Sequence, residues 1–197
     1  MTRIPSHTIE DAPEASRPLL ESVIRFSPTG RLLNLHAQMA HSPAVLAAYV
    51  SIRQATDAHG TLEFGVRSAL MLATAGATHS EYAEAITATL AERAGWSKSQ
   101  VDSLRSGGSL GDDKIDSIVG VVREAATHDG RVGDMAWERA VACGWTDEQL
   151  AEAFAYLGLT VFTGYFLNYA RTALDLPAAG AGPGAGAVAA AAARGLG

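Results

Sequence analysis

The chain has 197 residues, of which 48% are hydrophobic and 18% charged, enough for one domain with a sizeable core. Its net charge of -6 comes with no basic block, which argues against a phosphate-neutralising surface and so against nucleic acid as a partner. Cys143 is the only cysteine, which excludes an intramolecular disulfide and a dithiol redox cycle within one chain.

The opening residues, MTRIPSHTIEDAPEAS, are polar and acidic and hold no apolar run like that of a secretory signal, so the expected compartment is the cytoplasm. The first dozen are expected to wrap the surface. Ser42-Pro43 places an N-cap before a proline at the first helical position, and the helix AVLAAYVSIRQATDAHG ends at Gly60. Val66, Ala69, Leu70 and Ala73 give the i, i+3, i+4, i+7 spacing of an amphipathic helix, and Tyr82, Ile86, Leu90 and Ala94 give another. No sustained alternation and no Asn-Gly or Asp-Gly dipeptide marks a strand. The fold class read from the pattern is all-α.

An internal repeat is legible as well. AGWSKSQV at Ala94 to Val101 echoes CGWTDEQL at Cys143 to Leu150, an offset of 49 residues. In each copy Ser97 or Thr146 precedes a glutamine by three residues, the signature of a capping box. At the same offset the helix near Val66 corresponds to one near Lys114, so each half reads helix, helix, Gly-Trp turn, helix. The second half's last helix is expected over roughly Asp147 to Thr172. Its most apolar run, Ala153 to Leu167, is short of the ~20 residues that cross a bilayer, so it reads as a buried helix and no membrane is expected. One domain is expected over 1–177, followed by a flexible Ala/Gly-rich tail over 178–197.

The stretch VRSALMLATAGATHSEYAEAITATLAERAGWS, Val66 to Ser97, resembles the active-site helix pair of the alkyl hydroperoxidase D-like / carboxymuconolactone decarboxylase family. There a helix like RELVIL precedes a segment like CxYCxxxH...A..AG(W/L)S. The matched scaffold residues are Arg67, Leu72, Tyr82, Ala91, Ala94, Gly95 and Ser97. Arg31 to Val50 and Tyr165 to Pro177 resemble the flanking segments of the family's longer members. The resemblance implies an all-α fold and homo-oligomers, commonly trimers or hexamers with a dimer possible, whose pockets lie near subunit contacts.

The same match puts Ser68 where the family has its glutamate, Ser80 and Ala83 where it has its two cysteines, and Thr87 where it has its histidine. A hydroxyl and a methyl cannot replace the thiolate that attacks a peroxide O–O bond, nor the acid and base of the decarboxylase branch. Thiol-peroxidase chemistry is therefore not expected. Cys143, just before a helix stop, reads as a small packed residue.

Two functions are compatible with this pattern. One is a cofactor-free enzyme acting on a small organic acid or natural-product intermediate by decarboxylation, isomerisation or cyclisation. Its pocket would be Ser68, Ser80, Ala83 and Thr87 with His41 nearby, and His79 and Tyr82 are the candidate catalytic groups. The other is a non-catalytic pseudoenzyme that binds a ligand or a partner chain. Each residue also has a structural reading: His79 exposed before a helix, Tyr82 packed in the core, His36 and His41 in interhelical bonds, Arg53 and Arg67 in salt bridges. The six histidines show no metal-ligand spacing, and GAGPGAG in the tail is not a phosphate loop, so neither metal nor cofactor is expected.

Overall fold

The computed structural model describes residues 2–27 and 30–176, and every regular element among them is helical. The Ala/Gly segment expected as a tail lies outside the described residues. A 3₁₀ turn at Glu14–Ser16 leads into α1 (Arg17–Phe26) and α2 (Asn34–Met39). Then come α3 (Pro43–His59), α4 (Phe64–Ala77), α5 (Glu81–Arg93) and α6 (Lys98–Ser106). The second half is α7 (Asp113–Thr127), α8 (Asp134–Ala142) and α9 (Asp147–Ala170).

The repeat is structural. Trp96 donates its indole N–H to the Gly65 carbonyl at 2.9 Å, and Trp145 donates to the Lys114 carbonyl at 2.7 Å. Gly65 and Lys114 stand at the 49-residue offset of the two tryptophans. Gly95 and Gly144 both take a left-handed turn, at φ 96° and φ 90°, which a residue with a Cβ would strain. Both capping boxes are present, Ser97 with Gln100 and Thr146 with Gln149. Each half thus closes a long helix onto its Gly-Trp turn by one indole bond.

α4 is the central helix and packs against α5, α6, α7 and α9. Its buried face includes Leu70 and Leu72, each fully enclosed, and burial of such a side chain stabilises by about 1.5–3 kcal/mol. Gly76 lets α4 approach α6 closely, since a Cβ there would sit 2.1 Å from the Arg105 carbonyl oxygen. Glu152 on α9 ties the turn before α4, accepting bonds of 2.7 Å from both the Thr61 amide and the Thr61 hydroxyl. α9 is long and apolar enough to cross a membrane by length and composition, but half of its most apolar stretch is buried against the other helices. It ends at Ala170, slightly before the expected Thr172.

The N-terminal segment does wrap the bundle. The Arg3 amide donates to the Ala170 carbonyl and the His7 amide to the Ala37 carbonyl, while the buried Gln38 amide donates to the Ile4 carbonyl. The segment after α9 folds back too: Thr172 donates to the Gln38 side chain, and Asp175 reaches the start of α2. Both ends of the described chain therefore meet on α2.

Candidate functional site

Where α3, α4, α5 and α9 converge, a narrow pocket opens between Ala83 and Thr87 on α5, Thr160 and Thr163 on α9, Met71 on α4, and Tyr49 and Arg53 on α3. Its cavity volume is about 30 Å³, room for about two waters, so a larger ligand must displace side chains. A second cavity of about 20 Å³, bounded by His36, shares Tyr49, Arg53, Ile86 and Leu90 with the first. The two are neighbours across those four side chains.

The threonines of the floor are already committed. Thr87 donates to the Ala83 carbonyl at 2.7 Å, Thr160 to Tyr156 at 2.8 Å and Thr163 to Leu159 at 2.7 Å. Each is a back-bond to the preceding helical turn, which small hydroxyls on buried helices make readily. The floor is thereby chemically quiet.

Of the residues marked by the sequence, Ala83, Thr87 and Arg53 line this pocket, while Ser68, Ser80, His79, Tyr82 and His41 are not brought to it. Ser68 donates to the Gly65 carbonyl at 2.8 Å and lies 3.2 Å from the Trp96 indole nitrogen, which ties it into the first repeat's turn. Ser80 is fully buried and N-terminal to α5; a Cβ on Gly164 would lie 3.2 Å from its own Cβ, so it packs against the α9 backbone. Its hydroxyl has no hydrogen-bond partner among the described residues. His79 is exposed, at the left-handed φ of 52°. It stands outside the pocket because the chain must reverse there between α4 and α5.

Tyr82 is buried as expected of a residue on the apolar face, but its hydroxyl donates to the Asp175 carboxylate and accepts from the Leu35 amide. Burial first, and the bond to Asp175 second, push the phenol far above its ordinary range. It therefore keeps its proton and acts as a strut. His41 is exposed and stacks on His7, with His7 Nε2 and His41 Nδ1 3.0 Å apart. It fastens the N-terminal segment rather than the pocket. Arg67 lies under Asp57 at 3.6 Å and over the Phe64 ring. Cys143 caps the end of α8 and packs on the core, half-buried.

Three solved structures share this architecture. A peroxidase-related protein with an alkylhydroperoxidase AhpD core from Ralstonia eutropha JMP134 superposes with a TM-score of 0.76 at 16% identity, covering 88% of this chain and 92% of that one. The chain has the alkyl hydroperoxidase D-like fold. A cysteine-to-alanine variant of the debrominase Bmp8 in complex with 2,3,4-tribromopyrrole gives a TM-score of 0.75 at 14% identity, with coverage of 88% and 92%. A peroxidase-related protein from Silicibacter sp. TM1040 gives 0.66 at 13% identity, with coverage of 88% and 94%. No family model and no curated protein matches the sequence.

Within this AhpD-like fold, the polar groups beside the pocket that are not back-bonded threonines come from α3, with His36 on α2 bordering the adjoining cavity. Tyr49 and Arg53 are one helical turn apart on α3 and so share a face. His36 is buried on α2, with Nε2 3.3 Å from the Tyr49 hydroxyl. Burial, and secondarily the nearby Arg53 charge, lower its pKa to about 3, so its ring is neutral at physiological pH. Sequence reasoning weighed His36 and Arg53 but passed over Tyr49. The i, i+4 relation of Tyr49 and Arg53 was a visible signal; the turn that brings His36 back onto α3 was not. Among the described residues, no cluster of three or more His, Cys, Asp or Glu could hold a metal ion.

Proposed function

We propose that this chain is a divergent member of the alkyl hydroperoxidase D-like / carboxymuconolactone decarboxylase family that works without thiol chemistry. It takes a small, mostly apolar organic acid or natural-product intermediate into the pocket between α3, α5 and α9. There it promotes a cofactor-free proton transfer, as in decarboxylation, isomerisation or cyclisation. The observation that carries this reading is the pairing of a quiet, threonine-floored pocket with Tyr49 and Arg53 at its wall. An apolar body would lie on Met71, Ile86 and Leu90, and an anionic head would meet the cation and the phenol. That Bmp8, a protein of the same fold, has been captured with the small ring compound 2,3,4-tribromopyrrole supports a small-molecule site in such a scaffold.

A second reading, a pseudoenzyme that binds a ligand or partner chain, draws on a different observation. Ser80 packed on Gly164 and Ser68 tied to its own helix leave little open volume where the family pattern places its chemistry. Native mass spectrometry of the purified chain, followed by thermal-shift screening of small organic acids, separates the two. Retention of an acid and its conversion on incubation supports the enzyme. Retention without conversion supports the binder, and no retained molecule with no thermal shift contradicts both small-molecule readings.

We further propose that the chain is a homo-oligomer. Phe154, Tyr165 and Tyr169 are well exposed and recur on one face of α9, a stripe that self-association would cover. Light scattering on the purified chain tests this, and a monomer at micromolar concentration contradicts it.

A further inference from the structure

The neutral imidazole of His36 carries a single N–H, and the question is which nitrogen bears it. Nε2 has a partner, the Tyr49 hydroxyl at 3.3 Å. Nδ1 is buried and has none among the described residues. A buried donor without an acceptor is costly, whereas a bare nitrogen acceptor left without a donor is tolerated better. The hydrogen therefore belongs on Nε2, which donates it to the Tyr49 oxygen. Tyr49 then has its own O–H left to give, and its side chain borders both cavities.

The neighbours agree with this orientation. Thr87, Thr160 and Thr163 have donated their hydrogens to helix carbonyls and offer none to a ligand. Arg53, one turn along α3 from Tyr49, brings positive charge to the same wall. A protonated His36 would add a second charge beside Arg53 in a buried site, and burial keeps it neutral. His36 thus serves as a fixed donor that orients a phenol, with no proton of its own to exchange.

We propose that Tyr49, oriented by His36, is the hydrogen-bond donor that binds the carboxylate of the ligand, with Arg53 as its counter-charge. The proposal deepens the reading of the pocket as an acid site and rests on it. Tyr49 touches the ligand, and His36 is a positioning residue that acts through Tyr49. The polar groups of this site stand on α2 and α3, beside a floor that α5 and α9 supply.

Two measurements on the full chain test this. Nitrogen-15 NMR of the histidine rings reads the tautomer directly: the expected result is a protonated Nε2 and a bare Nδ1 on His36, and the reverse tautomer overturns the dyad whether or not any acid binds. Titration with isobutyrate, a branched acid of a few heavy atoms, then reads the site. Tyr49→Phe is expected to weaken isobutyrate binding about tenfold, the loss of one hydrogen bond to a charged group. His36→Leu should weaken it comparably, while His36→Gln, which keeps an N–H to offer Tyr49, should recover most of the affinity. Wild-type binding that Tyr49→Phe leaves unchanged overturns the role of Tyr49 and spares the pocket. Absence of isobutyrate binding by the wild-type chain overturns the acid-site reading itself.

Discussion

Tyr82 donates its phenolic hydrogen to the Asp175 carboxylate, and this bond joins α5 to the segment that follows α9. Asp175 also accepts from the Asn34 amide at 3.1 Å and pairs with Arg31 at 3.8 Å. A residue that the sequence offers as a candidate catalytic group is here part of a clasp. Tyr82→Phe removes the donor and leaves a mostly buried carboxylate oxygen short of a partner. The expected loss is about 1–3 kcal/mol in urea denaturation, with ligand affinity unchanged. Unchanged stability with lost turnover would return Tyr82 to the catalytic role the sequence suggests.

Gly76 marks a close approach between α4 and α6. A methyl there would meet the Arg105 carbonyl, which is backbone and cannot swing aside. Gly76→Ala is expected to destabilise the fold by about 3 kcal/mol, measured by thermal or denaturant unfolding. Gly120 on α7, with open space where a Cβ would go, is the control, and Gly120→Ala should be neutral or slightly stabilising.

The buried His36 sets a pH dependence whose sign is fixed. Its folded pKa of about 3 lies below the ordinary 6.5 of the unfolded chain. The unfolded state therefore binds a proton that the folded state refuses between those values. The contribution is fully present above pH 6.5 and is lost as pH falls toward about 3. The slope attributable to this group approaches about 1.4 kcal/mol per pH unit, since burial is nearly complete. Comparing unfolding free energies of wild type and His36→Gln across this range should show the difference growing in the variant's favour on acidification. Parallel pH profiles would show that His36 is not the buried neutral group described.

Much of the fold was legible in the sequence, and the reason is local. The two Gly-Trp turns, their capping boxes and the apolar spacings of α4 and α5 are all properties of short segments. The quiet floor was legible in part: Ala83 and Thr87 do line the pocket, while Ser68, Ser80, His79 and His41 do not. Those four are held elsewhere by the Trp96 indole, the Gly164 backbone, the left-handed turn between α4 and α5, and His7, none of which helical periodicity encodes. Tyr49 and His36 meet for the same kind of reason, across a turn whose geometry the sequence does not state.

Cys143 lies at the end of α8, outside the residues that line the pocket. Cys143→Ser is therefore expected to leave ligand binding and any turnover unchanged, and the wild-type chain should not reduce organic hydroperoxides with a dithiol reductant. Peroxide turnover that disappears in Cys143→Ser would sink the thiol-free account of this chain.

The most direct test of a working pocket at the α3, α5 and α9 junction is methyl NMR of the full chain titrated with isobutyrate. The account predicts shifts concentrated at Met71, Ile86 and Leu90, which line the pocket, the last two bordering the adjoining cavity as well. Shifts confined to the groove around Met135 and Ala136 between α7 and α8, with Met71, Ile86 and Leu90 unmoved, would contradict it.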